Sequence, residues 1–156
     1  MDTIKTNYHH YTDVKGLKIN GTAVTSTAAE LNILDGVVST TAEVDQFVLT
    51  GEIADISTAG SSWVVSPYAG TIEKIYTVID GAITGGDAAI TFEIDGTAVT
   101  DAGITIAHSG SGAGVVDSSE PTAKNSVDAG GAIEIITDGG STNTVKAVVA
   151  LVMQRS

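Results

Sequence analysis

The chain has 156 residues and a formal net charge of −12, with 18 glycines, 2 prolines, no cysteine and only 4% aromatic residues. So acidic a protein repels nucleic acid and anionic membranes, which excludes both as expected partners, and without cysteine there is neither disulfide nor thiol chemistry. A hydrophobic content of 42%, much of it Val, Ile and Ala in regular runs, points to a folded, mainly β chain rather than to disorder.

Residues 1–24 read as an extended arm. The opening MDTIKTNYHH has no apolar core, so no secretory signal is expected. Its adjacent His9 and His10 would point apart on a strand and lie about 100° apart on a helix, which makes them a poor metal pair. Lys5, Lys15 and Lys18 stand against Asp2 and Asp13, so the arm is close to neutral, whereas residues 51–156 hold 13 acidic against 4 basic residues. Two readings of this asymmetry are open: a solubility feature, or an arm that touches a partner while the acidic body faces water. Leu17 to Val24 fits a short strand pair around Asn20-Gly21, a favoured hairpin turn.

Residues 25–51 say one thing twice. Ser26-Thr27-Ala28-Ala29-Glu30-Leu31-Asn32 is echoed by Ser39-Thr40-Thr41-Ala42-Glu43-Val44-Asp45. Each copy carries Thr-x-x-Glu before an apolar residue, the capping box in which the Thr hydroxyl and the Glu carboxylate satisfy backbone N–H groups at a helix start. With Gly36 and Gly51 as C′ residues, the pattern predicts two short helices, about 28–35 and 41–49. Helices below roughly 12–15 residues are marginal alone in water, so Leu31, Leu34, Val44 and Phe47 need a surface to bury against. That surface is either the protein's own body or another subunit.

The string Thr27 to Val37, Thr-Ala-Ala-Glu-Leu-Asn-Ile-Leu-Asp-Gly-Val, resembles a repeat of fibre and decoration proteins of tailed bacteriophages, where it commonly recurs with a diverged second copy. In this chain the second copy has Val44-Asp45-Gln46-Phe47 where Leu-Asn-x-Leu would stand, and no Asp-Gly follows. The resemblance implies a virion appendage on the outside of the capsid, usually a homotrimer, whose partners are itself and the major capsid protein. On this reading Leu31, Leu34, Val44 and Phe47 form an oligomer or capsid contact, and Lys5, Lys15 and Lys18 mark a capsid-facing arm.

Residues 52–60 read as a linker. From Ser61 the pattern changes to period two: Ile90, Phe92 and Ile94 alternate with Thr91, Glu93 and Asp95. Ile72–Ile79, Trp63–Val65, Ile104–Ile106, Ile133–Ile136 and Val145–Met153 make further strands, separated by turn signals such as Asp80-Gly81, Asp95-Gly96, Asp128–Gly131 and Asp138–Ser141. Roughly eight strands at this spacing predict a β-sandwich over residues 61–156, with a jelly-roll-like topology preferred. The last strand is apolar on both faces, so it is either a buried central strand or a strand at a subunit contact. The apolar run Val148–Met153 is far too short to span a bilayer.

No chemistry-bearing constellation stands out. His108 sits alone beside a Gly-Ser loop. The three Asp-Gly turns lack the alternating acidic series of a calcium loop, and Ser109–Gly114 lacks the Lys-Ser/Thr of a phosphate loop. There is no Gly-x-Ser-x-Gly elbow. The expectation is a structural protein without catalytic residues, metal or cofactor. The competing reading is a tail-fibre component or host-surface glycan-binding module. Against that reading, the aromatics Trp63, Tyr68, Tyr76 and Phe92 are expected to be mostly strand-buried.

Overall fold

A computed structural model of the chain describes residues 45–156 and, as backbone alone, a hairpin of β1 (Lys18–Ile19) with β2 (Thr22–Ala23). The hairpin pairs Lys18 with Ala23 and Ile19 with Thr22, within the expected strand pair from Leu17 to Val24, and belongs to the first of two units, Met1–Val38. The remaining strands belong to the second, Ser39–Ser156.

In chain order these strands are β3 (Gln46–Ile53), β4 (Gly60–Val65), β5 (Gly70–Ile79), β6 (Ala88–Ile94), β7 (Thr97–Ala98), β8 (Ile104–Ile106), β9 (Val116–Ser119), β10 (Ser126–Val127), β11 (Ala132–Thr137) and β12 (Ala147–Arg155). They form two antiparallel sheets packed as a β-sandwich. The first has the order β10-β5-β12-β3, with β9 also on β5; the second has the order β4-β11-β6-β7, with β8 also on β6. The pairings match the front half of the chain to its back half in reverse. β3 takes β12, β4 takes β11, β5 takes β10 and β9, and β6 takes β7 and β8.

Period-two patterning explains which side chains meet between the sheets. Val149, Leu151 and Met153 of β12 and Ile72 and Ile75 of β5 face Ile90, Phe92, Ile133 and Ile135 of the second sheet, all fully buried. Ile72 and Ile75 are three apart, which strict alternation forbids. The register supplies the reason: Val152 pairs with Lys74 and Met153 with Ile72, so Glu73 is the extra residue of a β-bulge. At the turn after β6, Asp95 and Gly96 have φ of 50° and 71°, the paired left-handed conformation that Asp-Gly favours in a two-residue hairpin.

Two expectations are corrected. The helix expected over 41–49 is strand from Gln46 onward. Phe47, Leu49, Gly51 and Ile53 point inward, and eight consecutive pairs bind β3 to β12. Gly51 has no left-handed φ and caps nothing. A Cβ there would collide with Ile135 Cδ1 and stand 3.0 Å from Val64 Cγ1, so the glycine makes room for the opposite sheet. Nor is 52–60 a linker: it buries Ile53 and Ile56, and the Ile56 N–H donates to the Val145 carbonyl at 2.9 Å. The sandwich therefore begins at residue 45 rather than 61. The helix expected at 28–35 lies outside the described residues.

The strand directions sort the connections into two ends. Asp45, the Asp95-Gly96 turn and the tail after β12 share one end, where the Arg155 N–H donates to the Asp45 carbonyl at 2.9 Å. Loops 54–59, 80–87, 107–115 and 138–146 share the other.

Candidate interaction surfaces

Of the residues singled out in the sequence, Lys5, Lys15, Leu31, Leu34 and Val44 lie outside the described residues, as does the side chain of Lys18. Phe47 is described. It packs against the sandwich's own core, edge-on to the Tyr68 ring with centroids 5.8 Å apart. For this residue burial on its own body is the reading the geometry supports.

The loop end is held together by side chains that stand in for a ladder. The Thr84 N–H donates to Asn143 Oδ1 at 2.7 Å, and Asn143 Nδ2 donates to the Ala82 carbonyl at 2.8 Å. The carboxylates of two of the Asp-Gly turns are similarly engaged. Asp80 accepts the Lys146 N–H at 2.9 Å, and Asp138 accepts the N–H groups of Ala89 and Gly140, each at 2.9 Å. His108 is exposed, and it bonds across to the preceding loop. Its backbone N–H donates to Asp87 Oδ1 at 2.8 Å, and its Nδ1 lies 2.7 Å from the same oxygen. These two bonds, the backbone one foremost, hold the Asp87 carboxyl below the usual aspartate range. Among the described residues no three His, Asp or Glu side chains converge on a metal-sized space.

The two outer sheet faces are more informative. β12 lies between β5 and β3, so it is a central strand, but its outward Val148, Ala150 and Val152 are apolar. Following the register across the first sheet, Val116, Val78 and Val148 form one row, Tyr76 and Ala150 the next, and Val152 with Val48 a third. Val116 is 57% exposed and Val48 58%. Tyr76, Val78, Val116, Val148 and Ala150 line a shallow apolar hollow of about 170 Å³. The rows run on into polar and charged residues: Glu52 stands opposite Val148, Ser118 and Thr50 flank Tyr76 and Ala150, and Lys74 stands opposite Val152. Lys74 Nζ pairs with Glu120 at 2.9 Å, and Lys146 Nζ with Glu52 at 3.4 Å. The Glu120 hydrogen bond raises the Lys74 pKa and Lys74 lowers that of Glu120. An exposed apolar patch rimmed by polar and charged residues makes this face a candidate contact surface.

On the second sheet the outward residues read differently. Trp63 of β4 is 62% exposed and Val65 60%. Trp63 stands directly opposite Glu134 of β11, which stands opposite Glu93 of β6. The sequence reading expected most sandwich aromatics to be strand-buried; only Phe92 is, while Trp63, Tyr68 and Tyr76 reach the surface. In β4 the smaller Val64 takes the inward position, so its larger neighbour is turned out.

Compared with protein-family models and with curated proteins, the chain matches none.

Proposed function

We propose that this protein is a structural virion component of a tailed bacteriophage: a decoration or head-fibre protein on the capsid exterior. It docks on the major capsid protein through its N-terminal third and projects the acidic sandwich into solvent. The observation that carries the reading is the Thr27–Val37 string with its echo at Ser39–Asp45. The apolar outer face of the first sheet supports self-association, and a homotrimer is the proposed state. We read the sandwich further as a jelly roll, because a front half paired in reverse with a back half is what one long hairpin rolled into two sheets produces. No catalytic, metal or cofactor role is assigned.

The test is co-sedimentation with phage heads that lack the protein. The full chain should bind, and Leu31→Asp/Leu34→Asp should not. Equal binding by both would move the docking surface elsewhere. A truncation at Ser61 is unsuitable, since it deletes β3 with Ile53 and the buried Ile56. Sedimentation velocity tests the oligomer separately: Val48→Glu/Val116→Glu should give folded monomers. A wild type that is monomeric at micromolar concentration would refute the trimer.

A second reading, a tail-fibre or host-surface glycan-binding module, is favoured by the exposure of Trp63 and Tyr68, since aromatic faces commonly line ligand sites. Binding on a broad glycan array would support it, and silence would count against it.

A further inference from the structure

The free edge of β4 carries the inference, and it stands independently of the virion reading. Among the described residues β4 is an edge strand of the second sheet, paired to β11 on one side only. Over six residues, Gly-Ser-Ser-Trp-Val-Val, it has none of the devices that protect edges: no charge, no proline, and no bulge in its register from Gly60↔Thr137 to Val65↔Ala132. Beyond it, the Ser66 N–H donates to the Gly131 carbonyl at 2.9 Å. In an antiparallel ladder the N–H and C=O of alternate residues point to the same side. Val64 and Ser62 therefore continue the bonding toward β11, while Ser61, Trp63 and Val65 turn their backbone groups away from it. The same three residues put their side chains on the sheet's outer face, with Trp63 and Val65 largely exposed.

The neighbouring row says what chemistry the edge prefers. Glu134 and Glu93 are directly opposed on adjacent strands, a like-charge pair that weakens a sheet. Among the described residues neither has an ion-pair partner. A strand laid on β4 would place one outward side chain next to Trp63, and Glu134 is the next residue across. Arg fits that position. Its guanidinium stacks on an indole face and reaches a carboxylate with paired N–H donors. A sugar stacked on Trp63 would leave the Glu134–Glu93 repulsion unrelieved.

We infer that β4 accepts an extended segment of a partner protein by β-strand addition, with an arginine seated over Trp63 and directed at Glu134 and Glu93. Main-chain hydrogen bonds to Ser61, Trp63 and Val65 hold the segment, and the acidic row selects its basic residue.

Trp63 is the single tryptophan of the chain, so its fluorescence reports this site in the full-length protein. The probe is the acetylated, amidated peptide Thr-Val-Arg-Val-Thr-Val, compared with a version in which Gln replaces Arg and one in which Pro replaces both its fourth and fifth residues, so that a ladder N–H is lost whichever direction the added strand runs. The Arg peptide should shift Trp63 emission saturably, and by NMR hydrogen exchange it should protect the amides of Ser61, Trp63 and Val65 while leaving Ser62 and Val64 unchanged. The Pro peptide cannot complete the ladder and should bind about tenfold or more weakly. The Gln peptide should bind about two- to fivefold more weakly, the range of an exposed ion pair. E93Q/E134Q should erase that Arg preference, whereas the charge-matched D95N/D128N should keep it. Equal binding of the Pro peptide, unchanged exchange at the three amides, or a Trp63 response to oligosaccharides without one to the peptide would overturn the proposal.

Discussion

Replacing Gly51 by alanine tests the least expected element, the strand that stands where a helix is predicted. The added Cβ would collide with Ile135 Cδ1 and approach Val64 Cγ1 at 3.0 Å, and Ile135 is fully buried. Overpacking of this kind costs about 1–3 kcal/mol, offset by about 0.5–1 kcal/mol because alanine loses less backbone entropy on folding than glycine. The expected net loss is centred on about 1 kcal/mol, within a range of about 0–2.5 kcal/mol. For a domain of this size that lowers Tm by about 4–8 °C in thermal unfolding followed by circular dichroism. Ile135→Val removes the colliding methyl and alone costs about 0.5–1.5 kcal/mol. The double variant should therefore be more stable than the sum of the singles by about 1 kcal/mol. Additivity within about 0.5 kcal/mol, the behaviour of independent sites, would refute the placement of Gly51 against the second sheet. So would a stabilising Gly51→Ala.

Three further outcomes follow from the same structure. Leu151→Ala, in the central strand and fully buried, should cost about 2–5 kcal/mol in denaturant unfolding, while Val152→Ala on the outer face of the same strand should cost well under half of that. Thr77 is buried and its hydroxyl has no hydrogen-bond partner among the described residues, so Thr77→Val should raise stability by about 1 kcal/mol and increase Tm. The Asp87 carboxyl is held below its ordinary pKa by the backbone N–H of His108 first and its ring second. Because the folded value lies below the unfolded one, this contribution is complete above about pH 4 and is lost as pH falls through the lower folded value. Carbon NMR titration should show Asp87 ionising below a typical aspartate, and His108→Ala should return only part of the shift because the backbone donor remains.

What was legible in the sequence was the set of strands whose signal is local. Ile90, Phe92 and Ile94 alternate with polar residues, Asp95-Gly96 marks its own turn, and both appear as read. Gln46–Ile53 was misread because two periods compete there. Val44, Phe47 and Val48 after Thr40-x-x-Glu43 fit a helix face, while Phe47, Leu49, Gly51 and Ile53 fit a strand face. The decision comes from β12, about a hundred residues away, which offers an eight-pair ladder that no local pattern announces. β9 and β10 were missed for a related reason: Val-Asp-Ser-Ser and Ser-Val are too short and polar to declare themselves and are strands only because β5 lies beside them. Of the surfaces, the apolar outer side of β12 could be read from its two-sided pattern. The turning-out of Trp63 could not, because Trp-Val-Val is compatible with either register.

The antiparallel pairing of β3 with β12 places Gln154 opposite Gln46 and the last residues beside Asp45. Cargo fused after Ser156 would thus emerge at the same end of the sandwich as Asp45. Strands of eight to ten residues at a rise of about 3.3 Å each set the far loops about 30 Å away. A peptide to be displayed clear of that end belongs in the Ser109–Gly114 loop instead. There Gly110 and Gly114 already turn the chain with φ of 90° and 82° and would meet nothing if given a side chain. As an engineering scaffold the sandwich thus keeps its first and last residues at one end and leaves the loops of the other end open to insertion.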